Sequence, residues 1–331
     1  KFGGYYEKTN NTSLEECSTG KVEGMINSDK YDTSRLESYR STGELNIPFF
    51  WLVEQTLTVG AEWNRDELND PASMQATNVS GEVINGVPGT ASERNSKNSA
   101  DLTGIYLEDN IEARQGTNLI PGLRFDYYNQ FGSNWSPSLN VSQDLGDMFK
   151  VKAGIARVFK APNLYQSSEG YLLSTRGNGC PNNVSEGSCY LLGNPDLDPE
   201  ISVNKEIGLA FALEGYEAGI TWFRNDYKNK IVSGTDVLGQ TSSGANILQW
   251  QNGGKAVVEG LEGNLTVPVI RDTLTWRTNA TYMIQSESKD TGNPLSIIPK
   301  YTVNTMIDWQ VSSKLSENLS WTCLLNTSDS A

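Results

Sequence analysis

Asp196, Asp198 and Glu200 bring three carboxylates into the head of the segment NPDLDPEISVNKEIGLAFAL at 194–213. Paired carboxylates can cleave a glycosidic bond, and clustered oxygen donors can hold a hard cation. Both uses need a fixed geometry. A short loop carrying Pro195 and Pro199 instead favours turn-formers and solvated charges. The chain of 331 residues has no histidine, which excludes a Ser-His-Asp triad, a Cys-His pair and an imidazole metal site. No nucleophile stands at a useful spacing from a base, so the expectation is a protein that is not an enzyme and carries no cofactor or metal.

The four cysteines, Cys17, Cys180, Cys189 and Cys323, lack CxxC spacing. Cys180 and Cys189 bracket the polar stretch CPNNVSEGSC in a glycine-rich loop, and a disulfide is predicted between them. Closing about ten residues would contribute roughly 2–3 kcal/mol and suits an oxidising compartment. Cys17 and Cys323 are not expected to be obligate partners. Lys and Arg number 26 against 40 Asp and Glu, a net charge of -14, which disfavours nucleic acid as a partner. No apolar run reaches the ~18 residues of a transmembrane helix.

The elements that must carry these groups are strands. From Ile201 the apolar residues fall at every second position, Ile201, Val203, Ile207, Leu209, Phe211 and Leu213, with only Lys205 breaking the series. A period of two marks a strand with one apolar face. The same alternation recurs at 53–63, 119–127, 135–145, 149–155, 216–222, 274–284 and 301–309. About twelve such segments are expected, more than an ordinary sheet of ~4–6 strands holds. Their connections sort into two classes. RQGT at 114–117, DLGD at 144–147, LEGY at 213–216 and VIRD at 269–272 are tight, whereas 64–101, 161–200, 229–254 and 286–299 are long. Tight and long connections alternate, which sends all turns to one end of an up-and-down sheet. Outer-membrane barrels have that anatomy.

The loop-to-strand segment at 194–213 resembles the corresponding junction of TonB-dependent outer-membrane receptors. So do GIARVFKAPNLYQ at 154–166, TWFRNDYKNKI at 221–231, AVVEGLEGNL at 256–265 and SIIPKYTVN at 296–304. Together they are similar to the ferric enterobactin receptor subgroup over nearly the whole chain, and SWTCLLNTSDSA at 320–331 departs from the pattern. The resemblance implies an all-β fold: an antiparallel transmembrane barrel with short periplasmic turns and long extracellular loops. Residues 1–331 are expected to be a partial barrel domain, about half of twenty-two strands, with the plug absent.

The same resemblance implies a Gram-negative outer-membrane location and transport of a ferric catecholate siderophore. Its implied partners are TonB, reached through the plug, and outer-membrane lipid and lipopolysaccharide. An anionic ligand with aromatic rings needs cations and aromatic faces. Candidates in the long connections are Tyr31, Tyr39 and Arg40, with Lys30 beside them; Arg94 and Lys97; Tyr165, Tyr171 and Arg176; and Trp250 and Lys255, with Lys228 and Lys230. Arg94, in ASERNS, is favoured because a similar Ser-Glu-Arg segment occurs in a long loop of that receptor subgroup. A passive porin and a soluble carbohydrate-binding β-protein remain as alternatives on strand pattern alone.

Overall fold

The computed structural model describes residues 1–16, 26–71, 87, 89, 93–174, 189–240, 245–290, 292, 294–295 and 299–325. Thirteen strands form one antiparallel sheet, against about twelve expected. In spatial order these are β1 (Phe2–Glu16), β2 (Ile26–Trp51), β3 (Val53–Asn69), β4 (Lys97–Arg114), β5 (Thr117–Tyr128), β6 (Gly132–Leu145), β7 (Phe149–Lys160), β10 (Glu200–Leu213), β11 (Tyr216–Lys228), β15 (Ala256–Ile270), β16 (Leu274–Ser288), β17 (Tyr301–Ser312) and β18 (Leu315–Leu325). Each pairs with its neighbours in meander order, and β1 and β18 are the two edges of the described sheet.

The tight turns fall where the sequence puts them. Gly116, Gly146 and Gly215 take positive φ, and Glu214 and Asp272 follow at 50° and 59°. Such backbone suits a hairpin because its twist matches that of the flanking strands. One long connection is shorter than the sequence suggests. β3 continues to Asn69 and β4 begins at Lys97, so the loop expected at 64–101 narrows to 70–96. Above the apolar band the alternation loses its hydrophobic contrast while the backbone ladder continues.

Register assigns the two faces. Ile207 lies opposite Trp222, Trp222 opposite Leu261, and Leu261 opposite Tyr282. On the other flank Leu107 opposes Leu123, and Phe125 packs on Trp135 with ring centroids 4.7 Å apart. Of these, Ile207, Leu107, Leu123 and Trp135 are exposed and the others half-buried against their neighbours, as a wall meeting lipid allows. The opposite, concave face is polar. There Arg124 bonds Glu62 at 2.7 Å and Asp126 at 2.6 Å, Arg40 donates to Asn64, and Tyr106 donates to Glu44. Gly60 and Gly104 admit this network: a Cβ on Gly104 would lie 2.4 Å from the Arg124 guanidinium. Asp126 is almost wholly buried, at 1% exposure. Asp126→Ala should therefore lower the urea midpoint by an amount corresponding to roughly 1–3 kcal/mol, and Asp126→Asn by less; unchanged midpoints would show the pair to be neutral.

Two long loops carry structure of their own. Residues 161–199 contain the single-turn helix α1 (Leu164–Ser167), β8 (Leu172–Ser174) and β9 (Cys189–Leu192). Residues 229–255 contain β12 (Ile231–Ser233), β13 (Gly239–Gln240) and β14 (Asn246–Asn252). β14 runs parallel to β9 in a small second sheet, Asn246 opposite Cys189 through Gln249 opposite Leu192. Tyr190 and Leu192 pack with Leu172 and Ile247 on one face; Cys189 and Leu191 pack with Leu248 and Trp250 on the other. Burial on both faces explains the unbroken apolar run CYLL.

Candidate functional site

Asn163 caps α1 through a reciprocal pair with Gln166, and the segment from Ala161 to Tyr171 folds onto the concave wall. Leu164 and Tyr171 pack there against Leu68, Ala100 and Tyr128. Asn98 of β4 fixes the turn, its amide donating to the Leu164 carbonyl at 3.3 Å and to Ser168 Oγ at 2.5 Å. Two cavities flank this segment. One, of about 580 Å³, is lined by Arg94 and Lys97, with Glu93, Gln130, Ser168 and Glu169. The other, of about 830 Å³, takes Arg40 and Tyr165 with Tyr5, Asn64 and Asp66.

The candidates from sequence thus divide. Arg94 is buried at 6% exposure, and burial lowers its guanidinium pKa. Gly170, at φ 81°, makes room for it, since a Cβ there would lie 2.9 Å from Arg94 Cδ. Tyr165 and Tyr171 are in contact, ring centroids 4.8 Å apart, and desolvation followed by the Asp70 charge raises the Tyr165 phenol pKa. Arg40 joins this group from the concave face. Tyr39, its chain neighbour, also borders that cavity, but its ring is directed to the opposite face, where it meets Tyr6 at 5.1 Å and its hydroxyl donates to Glu37. Tyr31 is exposed on β2 and lines neither cavity.

Trp250 packs against the core of the loop sheet, and Lys255 is an exposed residue whose backbone N–H donates to Asp290. Neither lines the two cavities. Lys230 lies over the Tyr227 ring, and Lys228 ends β11 in solvent. Arg176, Cys180 and Cys17 lie outside the described residues, as does the side chain of Lys30. Cys189 is disulfide-bonded and Cys323 is a free thiol. The acidic residues of 194–200 take part in separate loop-fixing contacts. Asp196 and Asp198 use their backbone N–H groups to reach Asn194 and Asn252, and Glu200 Oε1 accepts from Ile231 N at 2.8 Å. The inner-wall group of Glu62, Arg124 and Asp126 escaped the sequence reading, although Arg124 and Asp126 occupy the polar positions between Leu123, Phe125 and Tyr127.

A meander of long antiparallel strands, apolar outside, polar inside, with tight turns at one end and structured loops at the other, is the wall of an outer-membrane β-barrel. The chain belongs to the TonB dependent receptor-like, beta-barrel family, which it matches over residues 1–329. It is 58% identical over 323 residues to the ferric enterobactin receptor PirA of Pseudomonas aeruginosa, covering 97% of this chain and 43% of that protein. It is 46% identical to the ferrienterobactin receptor of Escherichia coli, covering 96% and 43%. Among solved structures, a mutant of the ferric enterobactin receptor PfeA from Pseudomonas aeruginosa in complex with enterobactin aligns with TM-score 0.85 and 45% identity, covering 97% of this chain and 47% of that one. The chain therefore spans less than half the length of these relatives. Its place is the outer membrane of a Gram-negative bacterium.

Proposed function

We propose that this chain forms the ligand-gathering wall of a receptor that binds a ferric catecholate siderophore of the enterobactin type and imports it with energy delivered by TonB. TonB would act through a plug domain, and outer-membrane lipid and lipopolysaccharide would surround the wall. The observation that carries the reading is the gathering of Arg94 and Lys97 on one cavity and Arg40 and Tyr165 on the next, on either side of one ordered loop segment. Cations beside aromatic faces suit a flat, polyanionic iron complex and offer little to a neutral solute. The relatives described above are receptors for the same ligand class. No cofactor or catalytic group enters this reading.

The test is tryptophan quenching with the protein extracted from outer membranes in mild detergent. A ferric catecholate should quench saturably and be competed by a second catecholate, whereas a neutral ferric hydroxamate should bind at least about tenfold more weakly. Equal affinity for both, or no saturable quenching, would remove the assignment and favour a passive pore.

A further inference from the structure

The segment that parts the two cavities cannot hold its own shape. α1 is a single turn, far below the roughly 12–15 residues at which a helix is stable alone. Asn163 and Gln166 close its first turn, but at the other end Ser168 leaves helical geometry, at φ -79° and ψ 117°, so the Leu164 carbonyl needs donors from elsewhere. Two side chains supply them. Ser168 Oγ bonds back to it, and Asn98 Nδ2 reaches it from β4 at 3.3 Å. The same amide donates to Ser168 Oγ at 2.5 Å, which closes a triangle of loop carbonyl, loop hydroxyl and wall amide.

The orientation of that amide is fixed. Asn98 Oδ1 accepts from Ser99 N at 2.8 Å, so its carbonyl end is occupied and its N–H donors are turned to the loop. Asn98 lies opposite Leu68 in the β3–β4 ladder, and Leu68 shares a cluster with Leu164. Apolar packing holds the segment against the wall without direction, whereas hydrogen bonds set where along the wall it stops. The triangle also stands where the cavities meet. Asn98 and Ser168 line the one that holds Arg94 and Lys97, and Leu164 lines the one that holds Arg40 and Tyr165.

We propose that Asn98 is a positioning residue for ligand binding, a wall side chain that orders the segment from Asn163 to Tyr171 before the ligand arrives. The ligand then meets two formed cavities, and its affinity is not reduced by the entropy of ordering the loop. In this role Asn98 carries no charge and need not touch the ligand. The inference rests on the siderophore-receptor reading and deepens it by naming what shapes the site.

Hydrogen exchange and tryptophan quenching test it together, on protein extracted from outer membranes in mild detergent and shown to be folded by heat-modifiable gel migration. Asn98→Ala should speed exchange at 163–171 roughly tenfold, leave β4 and β5 unchanged, and weaken ferric catecholate binding about tenfold, as one to two lost hydrogen bonds would. Saturating catecholate should slow exchange at 163–171 far more in the variant than in wild type, because the variant orders only on binding. Asn98→Leu restores the side-chain volume without the donors and should behave as Asn98→Ala does. Ser168→Ala spares the bond from Asn98 to Leu164, so its loss should be smaller, and adding it to Asn98→Ala should change little. The salt dependence of binding should stay at the wild-type value, since no charge is removed. Recovery in Asn98→Leu, faster exchange with wild-type affinity, or weaker binding with wild-type exchange would each overturn the role. Absence of saturable quenching in wild type would instead mark failure of the receptor reading, which the ligand-free exchange does not depend on.

Discussion

Arg94→Ala is expected to weaken ferric catecholate binding by roughly ten- to a hundredfold while a neutral ferric siderophore of similar size loses little. An exposed loop charge would contribute under about 1 kcal/mol, whereas a desolvated charge-assisted contact is worth roughly 1.5–3 kcal/mol. Arg94 belongs to the second kind, being buried at the cavity beside Lys97. Burial lowers its pKa, yet a guanidinium stays protonated at any working pH, so the cation persists in surroundings that screen it poorly. Gly170→Ala supplies the companion variant. It keeps the charge but sets a Cβ against Arg94 Cδ at a residue whose φ of 81° already disfavours a side chain, and it should give a smaller loss in the same direction. Titration by tryptophan quenching at two salt concentrations measures both. Losses of equal size for the anionic and the neutral ligand would reduce Arg94 to a structural residue of the loop.

Among the described loop residues, Gly193→Ala should be the single methyl that meets the most rigid obstacle. Its Cβ would stand 1.8 Å from the Ser168 carbonyl oxygen and 3.2 Å from that of Tyr165. Both obstacles are backbone, and that backbone is held: Gly193 N donates to Tyr171 O at 2.9 Å, Asn194 N to Gln166 O at 2.7 Å, and Ser167 N to Asn163 O at 3.0 Å. Relief requires separating α1 from the β9 strand end, at a cost of roughly 3 kcal/mol, the upper end for overpacking. Hydrogen exchange should then show faster exchange at 163–171 and 189–194 with unchanged protection in β4 and β5. Protection equal to wild type throughout would mean that the turn yields without opening.

What the sequence conveyed depended on contrast between faces. Where a strand has lipid on one side and polar groups on the other, as at Ile207, Leu209 and Phe211, the period of two is plain. Beyond Trp63 the outer face meets water or headgroups and is as polar as loop, so Arg65, Glu67 and Asn69 look like loop although they pair with Asp101, Ser99 and Lys97 while Leu68 packs inward. Tyr39 and Arg40 were both plausible ligand contacts because composition cannot assign parity; the register with Arg65 and Asn64 puts them on opposite faces. The loop sheet was out of reach for a different reason. Its central pairing joins residues more than fifty positions apart in parallel, and no local pattern in CYLL or NILQWQN names its partner. Arg94 was legible as a cation, but its burial depends on Gly170, far along the chain.

The parallel pairing of β9 with β14 also bears on how the cell surface displays this protein. The platform is a composite epitope: its backbone ladder, its two packed faces and the contacts from Asn194 to the Trp250 carbonyl and from Asn252 to the Asp198 carbonyl come from two separate stretches of chain. A synthetic peptide copied from either stretch lacks the partner strand that holds it extended. Sera raised against such peptides should stain the denatured chain on a blot and miss the native cell, whereas immunisation with the folded barrel should yield antibodies that recognise the two stretches only together.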